Sequence, residues 1–392
     1  PGYIRTLNDY DCGERRVRWR SFLAYSRYGA LVMQKENAPA DWVPAPGGEN
    51  ARAELPGEPS GSNGAAIAPS NTAGRRALLL INPHTSFFFR SELQMQSDEG
   101  LNAYGAATWG QFFIYQGFNA KAGWMHTTSG IDNVDEFAEA VVQQDGAPPA
   151  YRIGNAVKPF TTQTVTLKVR QPDGSFGERQ FTTYASEHGP VVREEGGKWI
   201  TVGLMNRPVR ALEQSFLRTK ADDLRSFLLV ANLKANASNN TLFADSKGEI
   251  AYLHPQFVPE RDDRFDWRKP VDGSNPAAHW DHLHSLGSLP NVLKPANGWA
   301  FNVNNAPWTA AGPDSPKAAE FPRYMDQAGQ NARDAHARAV LGDRRDFTLE
   351  VKPGPRFTFG SVKLTGSPAE LEKLMQAEVQ AKEGTSFNEA SV

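Results

Sequence analysis

"GSNGAAI", Gly61 to Ile67, is the stretch on which the reading of this chain turns. Just before it runs "PAPGGENARAELPGEPS", whose Pro, Gly, Ser and Glu bury too little apolar surface to order themselves. Residues 47–61 therefore read as an exposed, cleavable connector. Just after it, "AAIAP" is a short apolar run of strand type, so Ser62 stands at a loop-to-strand junction. Alone, Gly-Ser-Asn at such a place is a linker. In the right surroundings it is the first residue of an enzyme released by cutting.

A serine hydroxyl is a poor nucleophile until a base takes its proton. A free α-amino group, with a reference pKa of about 7.7 to 8.0, is such a base at neutral pH. Inside a peptide bond that base does not exist, so an N-terminal serine enzyme must be made as a precursor and cut. Gly61 before Ser62, Asn63 after it and the connector upstream suit that cut: a backbone free to distort and an accessible bond.

Working outward, strand signals dominate: "ALLLI", "QFFIYQGF", "TVTLKVR", "RQFTTYAS", "WITVGLM" and "NTLFAD…EIAYL", punctuated by turn residues at Pro172–Gly174 and Ser246–Gly248. Helices are expected at "NVDEFAEAVVQ" from Asn133 and "KADDLRSFLLVAN" from Lys220, each with a polar cap and one apolar face. Strand runs with inserted helices predict an α+β or layered fold, not a regular βαβ winding.

Bulk properties exclude some partners. With 392 residues, 40% hydrophobic and 22% charged, and a formal net charge of −2, the chain has no general attraction for nucleic acid or anionic membrane. No apolar run reaches the ~18 residues of a membrane span. The single cysteine, Cys12, builds neither an intramolecular disulfide nor a thiolate metal cluster. The start lacks an initiator Met and a charged-then-apolar leader, so the sequence is expected to begin inside something larger.

Two further chemistries are open to the sequence. His279, His282 and His284 with Asp281, in "HWDHLH", offer imidazole and carboxylate to zinc, set against a plain polar loop. A Ser-His-Asp triad could use His84, His126 or His188, but no G-x-S-x-G turn marks its serine.

Downstream of the connector come, in order, "SNGAAIAPS", "LLLINPH", "GWMHTTSGIDNVDEF", "SEHGPVV", "NNTLFADSKGEIAYL", "VPER" and "PANGWAFNVNNAPW". Together, from Ser62 to about Asp343, they resemble the N-terminal part of the β-chain of the penicillin acylase family. These N-terminal-nucleophile amidohydrolases include penicillin, glutaryl-cephalosporin and acyl-homoserine-lactone acylases. The resemblance implies an αββα layered core and a small-molecule N-acyl substrate, such as a β-lactam or an acyl-homoserine lactone. It also implies a periplasmic or secreted location and no cofactor for catalysis.

By position it implies Ser62 as nucleophile, His84 lining the nucleophile pocket, and the Thr128 backbone N–H and Asn240 side chain as oxyanion donors. Arg261 would hold Asn240 and the surrounding network. His188 would be structural, and Asn302, Asn304 and Asn305 would support the pocket. Asp132, Val134 and Asp135 match a segment that binds a structural Ca2+ in several members, the alternative being a capped helix start.

The flanks depart from that pattern. Residues 1–46 resemble a fragment of a bacterial surface adhesin, and residues 351–392, opening "VKPGPRFTFGSVKLTG", resemble the first strand and helix of a polypeptide-transport-associated domain. The family's long helical α-chain would precede the connector, and its β-chain would run on beyond residue 350. The acylase core in residues 62–350 is therefore expected to be incomplete and to lack a pocket wall, which counts against activity even with every catalytic residue present. The simplest account is a chimeric sequence. The alternative function is a non-enzymatic envelope protein whose terminal segments bind surface or assembly partners.

Overall fold

The computed structural model describes residues 61–348 apart from 86–88, 109, 144, 145 and 344. Of the preceding part it describes the backbone of four strands, β1 (Tyr3–Asp11), β2 (Arg16–Tyr25), β3 (Leu31–Glu36) and β4 (Val43–Pro44). These form one antiparallel sheet with β2 between β1 and β3. The connector over 47–60 and the strand and helix expected within 351–392 lie outside the described residues.

Three further sheets follow. The smallest contains the Ser62 stretch: β5 (Gly61–Ile67) lies between β6 (Leu78–His84) and β22 (Trp299–Asn302), antiparallel to both. The seven-stranded sheet runs β7 (Arg90–Gln96), β8 (Asn102–Thr108), β9 (Gln116–Asn119), β10 (Ala122–Thr128), β18 (Asn239–Asp245), β19 (Ile250–Leu253), β21 (Val292–Leu293). The last runs β14 (Thr161–Arg170), β15 (Phe176–Ser186), β16 (Gly189–Glu195), β17 (Lys198–Gly203), β11 (Asp135–Val142), β12 (Ala150–Ile153), β13 (Ala156–Pro159), with β20 (Val271–Asp272) parallel to β11.

Side-chain alternation stacks the first two of these sheets into layers. From β10, β18 and β19, Trp124, Phe243, Ala251 and Leu253 point outward. There they meet Phe216 of helix α1 (Pro208–Arg218) and Leu224, Phe227 and Leu228 of helix α2 (Leu224–Ala231). Their neighbours Met125, Leu242, Ile250 and Tyr252 point inward against Ala66, Leu79 and Ala300 of the small sheet. On that sheet's far face, Ile67, Trp299 and Phe301 pack with Ala337 and Leu341 of helix α3 (Ala332–Asp343). The order is helix, sheet, sheet, helix, as the resemblance implied. Trp124 and Phe243 are wholly enclosed, and each such side chain contributes on the order of 1.5–3 kcal/mol by burial.

One expected helix is a strand. Over Asp135–Val142 the buried positions are Asp135, Phe137 and Glu139, a period of two that suits pairing with β17 and β12 on its two edges. Apolar residues at 137, 138, 141 and 142 satisfy a helical face equally well, and only the flanking strands decide between the two. The second expected helix is present as α2. Asp223 caps it in a reciprocal box, its carboxylate accepting from the Ser226 N–H.

Candidate active site

Ser62 is the second residue of β5 and is only 6% exposed. A Cβ on Gly64 would meet Met125 Sδ and Leu242 Cδ1, so positions 62, 64 and 66 face the seven-stranded sheet, while 63, 65 and 67 face α3. The serine side chain thus enters the layer between the two sheets. Gly61 sits at φ +115°, and a Cβ there would come within 2.7 Å of Asn304 Oδ1. Conformation and space both require glycine before the serine.

The Ser62 backbone is held from two sides. Its N–H donates to Asn304 Oδ1 at 2.7 Å. From α3, Arg333 Nη1 donates to Ser62 O at 2.9 Å and to Asn63 Oδ1 at 3.0 Å, and Nη2 to Asn304 Oδ1 at 3.1 Å. Asn304 is left-handed at φ 66°, a conformation asparagine tolerates. Its amide spans to Thr128 O at 3.0 Å, and its N–H donates to Asn302 Oδ1, which also accepts from Thr127 Oγ1 at 2.6 Å. Asn302 Nδ2 in turn donates to Asn305 O at 2.8 Å. The three asparagines therefore lock the end of β22 onto β5 and β10. Arg333 has no counterpart in the sequence reading, because an arginine on a helical stretch carries no signal of what it will reach.

The Ser62 Oγ–H donates to Gly61 O at 2.7 Å. The two expected oxyanion donors lie in adjacent strands, β10 and β18, with Thr127 opposite Asn240 and Thr128 opposite Asn239. Because Ser129 N–H donates to Ser238 O, the bonded pairs of this ladder are 129/238 and 127/240. Thr128 belongs to a non-bonded pair, and its N–H points away from β18, on the side where its C=O meets Asn304. Asn240 is completely buried and shares the inward face with Leu242. Its Oδ1 accepts from Tyr252 Oη at 2.8 Å and Gln256 Nε2 at 3.5 Å, while its Nδ2 has no partner among the described residues. Burial raises the Tyr252 pKa well above its ordinary value, so this phenol stays a donor and fixes which way the amide faces.

His84 is not brought to the serine hydroxyl. It pairs across from Gly61, and its Nε2 lies 3.2 Å from both Asn63 Nδ2 and Asn82 Oδ1, on the α3 side of the sheet. A cavity of about 1030 Å3 opens on that same side, lined by Asn63, Leu80, Val303, Arg333, His336 and Val340 among others. The other histidines are also elsewhere. His126 shares the outward face of β10 with Trp124, and His188 lies beside β16 in the third sheet. Nor does "HWDHLH" gather: His284 Nε2 meets Tyr324 Oη at 3.0 Å, whereas His279 turns toward Glu187.

Arg261 is built into the structure differently from the expectation. It bonds not to Asn240 but to Asp135, Nη1 to Oδ1 at 2.5 Å, and to the Asp132 carbonyl, both side chains of the ion pair being wholly buried. Tyr324 and Trp267 lie against the guanidinium at 4.1 and 5.1 Å. Burial pushes Asp135 up to about 6 while the Arg261 charge pulls it down, so it is ionised at neutral pH. Asp132, Val134 and Asp135 consequently do not fit a calcium ion, which needs six to eight oxygens. Asp135 Oδ2 is taken by Trp280 Nε1 at 2.8 Å, Gln327 Nε2 donates to Asp132 Oδ2 at 2.8 Å, and a guanidinium already supplies the positive charge.

The sequence profile of the penicillin amidase family matches residues 13–351. The chain belongs to the penicillin amidase family. This match covers the Ser62 layer and extends through residues 13–46, within the part (1–46) that resembles an adhesin fragment. Relatives include an acyl-homoserine lactone acylase PvdQ of Pseudomonas fluorescens, 28% identical over 70% of this chain and 37% of that protein. Its counterpart in Pseudomonas syringae pv. syringae is 30% identical over 71% and 38%. A penicillin G acylase of Escherichia coli is 27% identical over 49% and 22%. The chain thus spans less than two-fifths of the length of these relatives. Among solved structures, a thermostable penicillin G acylase from Alcaligenes faecalis superposes with a TM-score of 0.60 at 20% identity, over 74% of this chain and 50% of that one. The architecture shared with that structure is the N-terminal-nucleophile hydrolase fold. Among the described residues no helix is long and apolar enough to cross a membrane.

Proposed function

We propose that this chain carries the nucleophile of an amidohydrolase that deacylates N-acyl-homoserine lactones, with Ser62 made N-terminal by cleavage after Gly61. The observation that carries the reading is the Ser62 hydroxyl lying on the Gly61 carbonyl at 2.7 Å while Asn304 and Arg333 hold the serine backbone on either side. In the cut, Ser62 Oγ adds to the Gly61 carbonyl carbon, the C–N bond breaks, and the hydroxyl proton passes to the departing Ser62 nitrogen. Water then hydrolyses the Gly61 ester, releasing a carboxylate and leaving a free amine.

That amine is the base of the second reaction. It accepts the Ser62 proton as Oγ attacks the substrate amide and returns it to the leaving amine, with no cofactor. Thr128 N–H and Asn240 Nδ2 would meet the tetrahedral oxyanion. Two fixed donors in a dry site are each worth about 3–4 kcal/mol. Asn240 supports the role by holding a buried donor that has no partner among the described residues. His84 acts, in this reading, through Asn63 rather than on substrate.

Acyl-homoserine lactones are favoured over β-lactams because the relatives of that name match a larger share of this chain. An α-chain walls the acyl pocket, and the enzyme works in the periplasm or outside the cell. The test is the intact mass of the purified chain, with release of homoserine lactone from N-acyl-homoserine lactones and of phenylacetate from penicillin G. A cut between Gly61 and Ser62, absent in Ser62→Ala, with lactone release in the presence of the α-chain, is expected. An uncut wild type, or hydrolysis that survives Ser62→Ala, would overturn the reading.

A further inference from the structure

Away from Ser62, the third sheet holds a convergence of donors that the acylase chemistry does not use. At the turn from β15 to β16, His188 Nδ1 lies 2.9 Å from Glu139 Oε1, and the ring stacks on Phe137 at 4.1 Å and 7°. The same buried Glu139 accepts from Ser186 Oγ at 2.5 Å and Thr201 Oγ1 at 2.8 Å. With Nδ1 donating to the Glu139 carboxylate, the Nε2 lone pair is the imidazole's remaining ligand atom.

His279 comes to the His188 ring from the loop following β20. Its ring centroid is 5.6 Å from that of His188, and its Nδ1 is buried without a hydrogen-bond partner, 3.5 Å from Glu187 Oε1. Glu187 is positioned independently, with its N–H on Tyr151 Oη at 3.0 Å and its other carboxylate oxygen on Lys158. One donor atom from each of Glu187, His188 and His279 lies within 4.8 Å of the other two.

We propose that Glu187, His188 and His279 bind a first-row divalent transition ion of the Zn2+ type, which pins the loop bearing His279 to the β15–β16 turn. Two imidazole nitrogens and one carboxylate oxygen suit zinc rather than calcium or magnesium, which favour all-oxygen sets. With metal–ligand bonds of about 2.0–2.1 Å, a tetrahedral ion holds its donors roughly 3.3 Å apart. The His279–Glu187 pair is already close to that spacing, and side-chain rotation brings in the third donor. Glu139 stands behind His188 as the carboxylate that orients a metal-bound imidazole. Of the three histidines in "HWDHLH", only His279 takes part, and its metal partners come from a different part of the chain.

The experiment is titration of the full chain with Zn2+ by calorimetry, alongside thermal unfolding with and without the ion. Wild type is expected to bind one equivalent and to unfold several degrees higher with zinc. His279→Ala, truncating a side chain about one-third exposed, should lose at least tenfold in affinity together with that thermal shift, and His282→Ala should lose neither. Glu187→Gln provides a second loss-of-ligand variant should His279→Ala not fold. Absence of zinc binding in wild type, wild-type affinity in both ligand variants, or loss in His282→Ala would overturn the proposal.

Discussion

Asn304 Oδ1 accepts the Ser62 N–H at 2.7 Å across 242 positions of sequence, and the same oxygen accepts from Arg333 Nη2. One carboxamide therefore joins β5, β10 and α3. Asn304→Gly keeps the left-handed backbone accessible but removes the side chain, leaving Ser62 N–H, Thr128 O and one Arg333 donor short of a partner. A loss of about 1–3 kcal/mol is expected, read by urea unfolding. The uncut fraction on intact mass should rise in parallel.

Gly61→Ala tests the residue before the serine. The added Cβ must move Asn304 Oδ1 from a 2.7 Å approach, and alanine is strained at φ +115°. Cleavage after residue 61 is expected to slow at least tenfold, followed as mass against time, while far-ultraviolet circular dichroism stays unchanged. Cutting at the wild-type rate would show that the tight Gly61 geometry has no part in maturation.

The layered architecture was legible because its strands advertise themselves. "ALLLI" and "NTLFAD…EIAYL" are short, apolar and bounded by turns, and they became β6, β18 and β19. "NVDEFAEAVVQ" was not legible, since β11 owes its state to β17 and β12 rather than to its own pattern. Motif order singles out Ser62, Thr128 and Asn240, but the hydrogen bonds that hold them, to Asn304 and Tyr252 among others, leave no mark in it. Arg333 and the Arg261–Asp135 pair are made by long-range packing. No local spacing encodes which carboxylate a buried guanidinium will find.

Asp135→Ala would leave Arg261 buried without its carboxylate partner, facing the Asp132 carbonyl, Tyr324 and Trp267. Breaking such a pair costs about 3–5 kcal/mol. A lowered urea midpoint is expected, with no rescue by added Ca2+, because the guanidinium holds the charge at this place. Calcium rescue would instead assign the site to a metal.

Asn240→Ala separates stability from chemistry. The variant loses the acceptor for Tyr252 and Gln256, a modest structural cost, but also the buried Nδ2 donor that no other group uses. If that donor meets the oxyanion, kcat should fall by about 10²–10³ with KM little changed. A change in KM alone would move Asn240 from transition-state stabilisation to substrate binding.

His126 contributes a loss of stability on the acid side of neutrality. Burial holds its pKa well below the ordinary value, and the Arg218 and Arg90 charges add to the effect. A histidine neutral in the folded state but protonated in the unfolded chain contributes stability above the unfolded pKa of about 6.5, and that contribution is lost as pH falls below it. Asp135 has the opposite sign: raised to about 6, it takes up a proton in the folded state first, which adds stability as pH falls from there toward its unfolded value. Comparing wild type with His126→Gln cancels Asp135, which both share. Between pH 7.5 and 5.5 the urea-derived unfolding free energy of wild type should drop more than that of His126→Gln. Equal slopes would mean that the folded state protonates His126 as readily as the unfolded chain does.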